Sequence, residues 1–242
     1  MTQAQPAESG VVDYPESDGK PMGETDVHRI EMQSYLIEVL EDFFAKDVRV
    51  YVSGNNFIYY VEGDPTESVS PDVYVVFGVP KRTRRVFKVW EEGSTPRVVF
   101  EVTSTKTRHE DRGSKLSIYA ELGVREVYLF DPFEEWVKQG LRAFRLEGDG
   151  YLPVIPSDGR VSSKALELDL GVVEGHLRFF EPATRMMLPT RLEAKEAADQ
   201  RAEAEKQRAE AEKQRAEAEK QRAEAALQRV AELEAELARV RG

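Results

Sequence analysis

The sequence predicts an α/β (α+β) domain built on a mixed central sheet with a helix on each side, followed by a long charged helix. Three observations carry this. An amphipathic helical pattern opens the domain near residue 26, and β-branched and aromatic runs then dominate as far as residue 103. A second amphipathic helix separates two apolar runs at 97–103 and 124–130. Beyond Leu188 the composition turns abruptly to Ala, Glu, Lys, Arg and Gln.

Residues 1–25 are rich in Pro, Gly, Ser, Asp and Glu, and read as a flexible arm with too little apolar surface to offset its ordering entropy. Thr25 or Asp26 offers an N-cap, and Ile30, Tyr35, Leu36, Val39, Leu40, Phe43 and Phe44 recur at helical spacing up to about Ala45. VRVYVSG and NFIYYVEG, separated by Gly54, Asn55 and Asn56, read as a hairpin. PDVYVVFGVP reads as a third strand, closed by Gly78 and Pro80, with a short strand around Val86–Trp90 after it. The helix at about 110–122 carries Leu116, Tyr119, Ala120 and Leu122 on its buried side and ends at Gly123. Later segments read as peripheral strands, with Leu166, Leu168, Leu170 and Val172 in alternation. The expected division is an arm at 1–25, a globular domain at 26–188 and a helical tail at 189–242.

In the tail, RAEAEKQ repeats identically three times from Arg201, and RAEAALQ follows at Arg222. Oppositely charged pairs such as Lys206–Glu210 and Glu205–Arg208 support a single helix. Ala223, Ala226, Val230, Leu233, Leu237 and Val240 fit a and d positions of a short heptad seam. Two readings stay open: a solvated, charge-laced helix, and an arm that pairs two copies into a homodimer.

Net charge is −11, and residues 1–190 carry 22 basic against 32 acidic side chains. An acidic body argues against general nucleic-acid affinity, though not against a local basic groove. With no cysteine, disulfides and thiolate metal sites are excluded. No run approaches the ~20 apolar residues of a membrane span. The N-terminal stretch lacks the pattern of a secretory signal, so a cytoplasmic protein is expected.

Glu101 lies inside an apolar strand between Phe100 and Val102. An ionised carboxylate there costs several kcal/mol unless something compensates it. Asp72 stands at the mouth of the PDVYVVFG strand. If the two strands are antiparallel neighbours, Asp72 lies beside Glu101, and the pair forms a hard oxygen site suited to Mg²⁺ or Mn²⁺. The ordinary alternative is a turn aspartate and a glutamate satisfied by an arginine. Lys115, on the flank of the following helix, could reach both acids, and Lys106 in the loop competes with it. Lys81, Arg82, Arg84, Arg85 and Lys88 form a basic run that reads either as a phosphate contact or as a solvated hairpin. His28, His109 and His176 lack zinc spacing.

PDVYVVFG, VVFEVTS, the series Thr107, Asp111, Lys115, Tyr119, and LGVREVYLFDP together resemble the Uma-type putative restriction endonuclease family of the PD-(D/E)XK nuclease superfamily. The similarity runs from Glu24–Arg29 to about residue 185. It implies a restriction-endonuclease-like αβββαβ core and a metal site on Asp72 and Glu101, with the Val102 backbone carbonyl as a further ligand. The superfamily lysine would fall at Thr103; the resemblance implies that Lys115 substitutes for it. An acid from the first helix, Glu31 or Glu38, is the accessory residue such nucleases often add, and Asp111 and Tyr119 belong to the helix motif. The expectation is a Mg²⁺-dependent endonuclease acting on DNA, with an inactive nuclease-like binding module as the alternative.

Overall fold

The computed structural model describes residues 12–17, 26–102, 112–135, 137 and 139–241. Contacts divide the chain into two units, Met1–Arg191 and Leu192–Gly242.

The first unit opens with one helical run in three parts. These are α1 (Asp26–Ile30), a π-helical stretch (Glu31–Ile37) and α2 (Glu38–Phe43). Strands β1 (Val50–Ser53), β4 (Val73–Phe77), β6 (Val98–Val102), β7 (Glu126–Phe130), β8 (Leu141–Glu147) and β9 (Gly150–Val154) form the main sheet in that order. All neighbours are antiparallel except β6 and β7. A parallel pair needs a crossover, which α4 (Arg112–Glu121) supplies. Gly123 follows at φ +73°, the left-handed position that ends such a helix. The order helical run, β1, β4, β6, α4, β7 is the αβββαβ core with its mixed sheet.

Strict alternation along the central strands divides their side chains between two cores. Val73, Val75, Val98, Phe100 and Val102 face Met32, Leu36, Val39 and Leu40 of the helical run. They also face a small sheet of β10 (Arg160–Ser163), β11 (Leu168–Val173) and β12 (His176–Phe180). Tyr74, Val76, Val99, Val127 and Leu129 face Tyr119 of α4 on the other side. A second small sheet covers that side too, made of β2 (Ile58–Tyr59), β3 (Ser68–Val69) and β5 (Phe87–Lys88). A four-residue helix, α3 (Val89–Glu92), follows β5 directly, where the sequence suggests a strand to Trp90.

The expected hairpin between residues 47 and 63 does not form. β1 pairs with β4, whereas β2 pairs with β3 and β5. The cause is local. After β1 the chain is bound across the start of β4, where the Asn55 N–H donates to the Pro71 carbonyl at 3.0 Å. A Cβ at Gly54 would lie 1.9 Å from the Asp72 carbonyl oxygen, so this passage requires glycine.

The second unit lies within one continuous helix, α5 (Arg191–Arg241), of 51 residues. At ~1.5 Å per residue the helix is about 76 Å long. No helix among the described residues is long and apolar enough to cross a membrane.

Candidate active site

The site lies where the start of β4 meets the end of β6. Antiparallel pairing sets Val73 opposite Phe100, so Asp72 falls opposite Glu101. Alternation turns both side chains toward the face covered by α4. The Val102 N–H donates to Asp72 Oδ2 at 2.6 Å, fixing one carboxylate against the neighbouring strand. Glu101 is held from α4. Lys115 Nζ lies 3.3 Å from both of its carboxylate oxygens, and the Tyr119 hydroxyl donates to Oε1 at 2.5 Å. Lys115 and Tyr119 are one helical turn apart, so a single helix face presents both donors.

The Glu101 side chain is 14% exposed. Burial, then the nearby charge of Asp72, pushes its pKa up to about 7; Lys115 and Tyr119 offset part of that rise. Two acids so close disfavour double ionisation unless a cation joins them. His28, from the first helical turn, places Nε2 3.3 Å from Asp72 Oδ1. Its part in the site is invisible in the sequence, because it depends on how α1 packs across the start of β4.

Glu31 and Glu38 lie elsewhere. Glu31 is fully buried, and its carboxylate meets His176 Nδ1 and the Leu177 N–H, both of β12. Glu38 meets Gln33 at 3.4 Å and Arg191 at 3.8 Å. Lys106 and Asp111 lie outside the described residues, as does Thr103.

In the basic run, Lys81 donates to the Phe44 carbonyl at the end of α2, at 2.6 Å. The Arg84 side chain is 1% exposed. It makes a two-pronged contact with Glu92 at 2.8 Å and lies 4.2 Å from the Tyr51 ring centre. Arg82 also pairs with Glu92, Arg85 with Glu16 and Lys88 with Glu91. Arg84 is therefore a packing residue, while Arg82 and Arg85 reach solvent.

Among the described residues no group of three or more His, Cys, Asp or Glu side chains is arranged to hold a metal ion. The two carboxylates nonetheless suit a hard divalent cation. Mg²⁺ keeps several waters and is commonly held by one or two carboxylates.

Residues 13–173 match the Uma2 family, described as "Putative restriction endonuclease". The chain belongs to this family. The Uma2 match runs through the helical run and both acids to the last residue of β11, leaving β12 and α5 beyond it. A solved structure from Anabaena variabilis ATCC 29413, titled a putative nuclease belonging to DUF820, is similar over 61% of this chain and 76% of that one. Its identity is 17% and its TM-score 0.45. No curated protein matches the chain.

Proposed function

We propose that the chain is a divalent-metal-dependent endonuclease that hydrolyses DNA phosphodiester bonds. The observation that carries this is the meeting of Asp72 and Glu101 at one sheet end, with Lys115 aimed at the second acid. Membership of the Uma2 family, described as "Putative restriction endonuclease", supports the same reaction class.

In this reading Asp72 and Glu101 hold Mg²⁺ or Mn²⁺, with the Val102 carbonyl beside them. When bound, the ion supplies Lewis-acid stabilisation of charge on the phosphodiester and activates water. The chain's own residues do the positioning. The Val102 N–H and His28 orient the Asp72 carboxylate. Tyr119 fixes the rotamer of Glu101, and Lys115 keeps an ammonium at the acid pair, where it can orient water or a phosphate oxygen. Arg82 and Arg85, two exposed members of the basic run, are assigned to the phosphate backbone. Pairing of two copies through the C-terminal helix belongs to the same reading.

A second reading draws on one specific observation. Protein donors already serve both acids: Val102 and His28 at Asp72, Lys115 and Tyr119 at Glu101. That is also how an inert ion-pair cluster in a nuclease-like binding module would look. Incubating the purified full chain with duplex and single-stranded DNA, with Mg²⁺ or Mn²⁺, decides between them. Cleavage that disappears in Asp72→Ala and in Glu101→Ala is the expected result. No cleavage of either DNA, or cleavage untouched by both substitutions, overturns the enzyme reading.

A further inference from the structure

The end of α5 presents an apolar stripe that its own unit leaves uncovered. Leu227, Val230, Leu233 and Leu237 are 70%, 52%, 44% and 52% exposed, although they are large aliphatic side chains. Val230 and Leu237 are seven residues apart and Leu233 lies between them, the a–d–a spacing of a two-stranded seam. The same spacing puts Ala223 and Ala226 one heptad earlier and Val240 at the last d position.

We propose that residues 222–241 pair with the same segment of a second copy as a parallel, in-register coiled coil. The occupant follows from the charges flanking the seam. With Val230 at a, Arg229 and Glu236 take g positions, and Glu234 and Arg241 take e positions. In a parallel pair each g residue faces the e residue five positions further along the other helix. Arg229 then faces Glu234 of the second copy, and Glu236 faces Arg241, giving four opposite-charge pairs by symmetry. The antiparallel arrangement that packs Val230 against Leu233 matches Arg229 with Glu236 but sets Glu234 against Leu227, giving two opposite-charge pairs instead of four. Charge therefore selects both the partner and its direction.

The repeats upstream set the limit of the pairing. In RAEAEKQ the same frame assigns Ala to a, Glu to d, Lys to e and Arg to g. Parallel helices would there set Arg208 against Lys213 and Arg215 against Lys220, with glutamates at d. Like charges and an acidic d position exclude a tight seam. Pairing is thus confined to the last ~20 residues, and the preceding ~30 residues of each helix, about 45 Å at ~1.5 Å each, remain separate arms. The inference rests on the pairing of copies proposed above, but its cross-linking test reads out independently of nuclease activity.

The chain contains no cysteine, so a single introduced thiol reports on its neighbours without background. The full chain carrying Leu237→Cys, at a, and the full chain carrying Ala235→Cys, at f, are oxidised in a glutathione buffer and compared on a denaturing gel. A disulfide dimer forming for Leu237→Cys and not for Ala235→Cys is expected. Sedimentation equilibrium of the unmodified chain should give a monomer–dimer constant. Glu234→Arg, which turns attraction into repulsion in two symmetric pairs, should weaken it about tenfold, and adding Arg229→Glu should restore it. A monomer at every concentration overturns the proposal. So does efficient cross-linking of a mixture of Ala226→Cys and Leu237→Cys chains with none for Leu237→Cys alone, which is the antiparallel pattern.

Discussion

Gly54→Ala tests whether the backbone passage after β1 sets the position of Asp72. The added Cβ would lie 1.9 Å from the Asp72 carbonyl oxygen, 3.0 Å from its carbonyl carbon and 3.3 Å from Val73 Cα. Ordinary contact begins at 3.4 Å, so the methyl falls about 1.5 Å short, and what it meets is backbone with no rotamer to move. The strand start must shift. Overpacking of this kind costs about 1–3 kcal/mol, which for a domain of this size lowers Tm by about 3–10 °C. Displacing a reacting group by ~1 Å costs roughly 100-fold in rate. Cleavage in Gly54→Ala should therefore fall far more than the unfolded fraction explains. Gly63→Ala is the control. Gly63 has φ +88° and nothing within 4 Å of its would-be Cβ, so alanine there strains the backbone without touching Asp72. Melting curves and initial cleavage rates of both variants, measured well below Tm, separate the effects. Equal activity per folded molecule in Gly54→Ala and the unsubstituted chain would refute the reasoning.

Three further outcomes follow from named contacts. Lys115→Met should lower kcat by about 100- to 1,000-fold, the usual loss on removing one donor aimed at developing charge, while calorimetry still detects Mg²⁺; unchanged kcat would remove Lys115 from the reaction. Arg84→Met removes the two-pronged partner of Glu92 while the exposed Arg82 still pairs with it, and should cost about 1–3 kcal/mol in urea unfolding, most of it recovered in Arg84→Met/Glu92→Leu. The salt dependence of DNA affinity should not change in that double variant, whereas Arg85→Ala should lower its slope by about 1; the reverse pattern would make Arg84 the phosphate contact. Glu31 is held above the ordinary carboxylate range, chiefly by burial and against the opposing pull of His176. From pH 4.5 up through that raised value the folded chain binds more protons than the unfolded one, so this group's contribution to stability falls as pH rises. Urea midpoints in that window should show a flatter pH dependence for Glu31→Gln, and an identical slope in both proteins would sink the assignment.

The core was legible where local pattern and long-range order coincide. The apolar run ending at Val102, the helix closed by Gly123 and the run ending at Phe130 admit few arrangements except strand, crossover helix and parallel strand. Once β4 is taken as the antiparallel neighbour of β6, the register opposes Asp72 to Glu101 without any side-chain detail. The hairpin failed for a reason no local pattern contains: Gly54 meets the backbone of a residue eighteen positions away. The partners of His28 and Glu31 escaped for a related reason. They lie three residues apart on one helical run, yet one meets β4 and the other meets β12. Which strand each side chain finds depends on the packing of the whole run and on its π-helical stretch.

A buried acid in an apolar strand is not by itself a sign of chemistry, and β7 supplies the counterexample. Glu126 is 1% exposed, begins a strand as apolar as β6, and lies in the parallel register opposite Val98. Its carboxylate accepts the Lys164 N–H at 2.9 Å, the Ser163 hydroxyl at 2.5 Å and the Tyr128 hydroxyl at 3.0 Å, and pairs with Arg145 at 3.2 Å. Those donors come from the main sheet, from the end of β10 and from the residue after it, and one is backbone, so the charge is fully compensated within the fold. Glu101 differs in what compensates it. Its donors are the side chains of Lys115 and Tyr119, and a second carboxylate beside it raises its pKa instead of stabilising its charge. No fold needs two such acids together for stability, since either alone would be easier to satisfy. The pairing of Asp72 with Glu101, not the burial of Glu101, is what supports the cation site proposed at this sheet end.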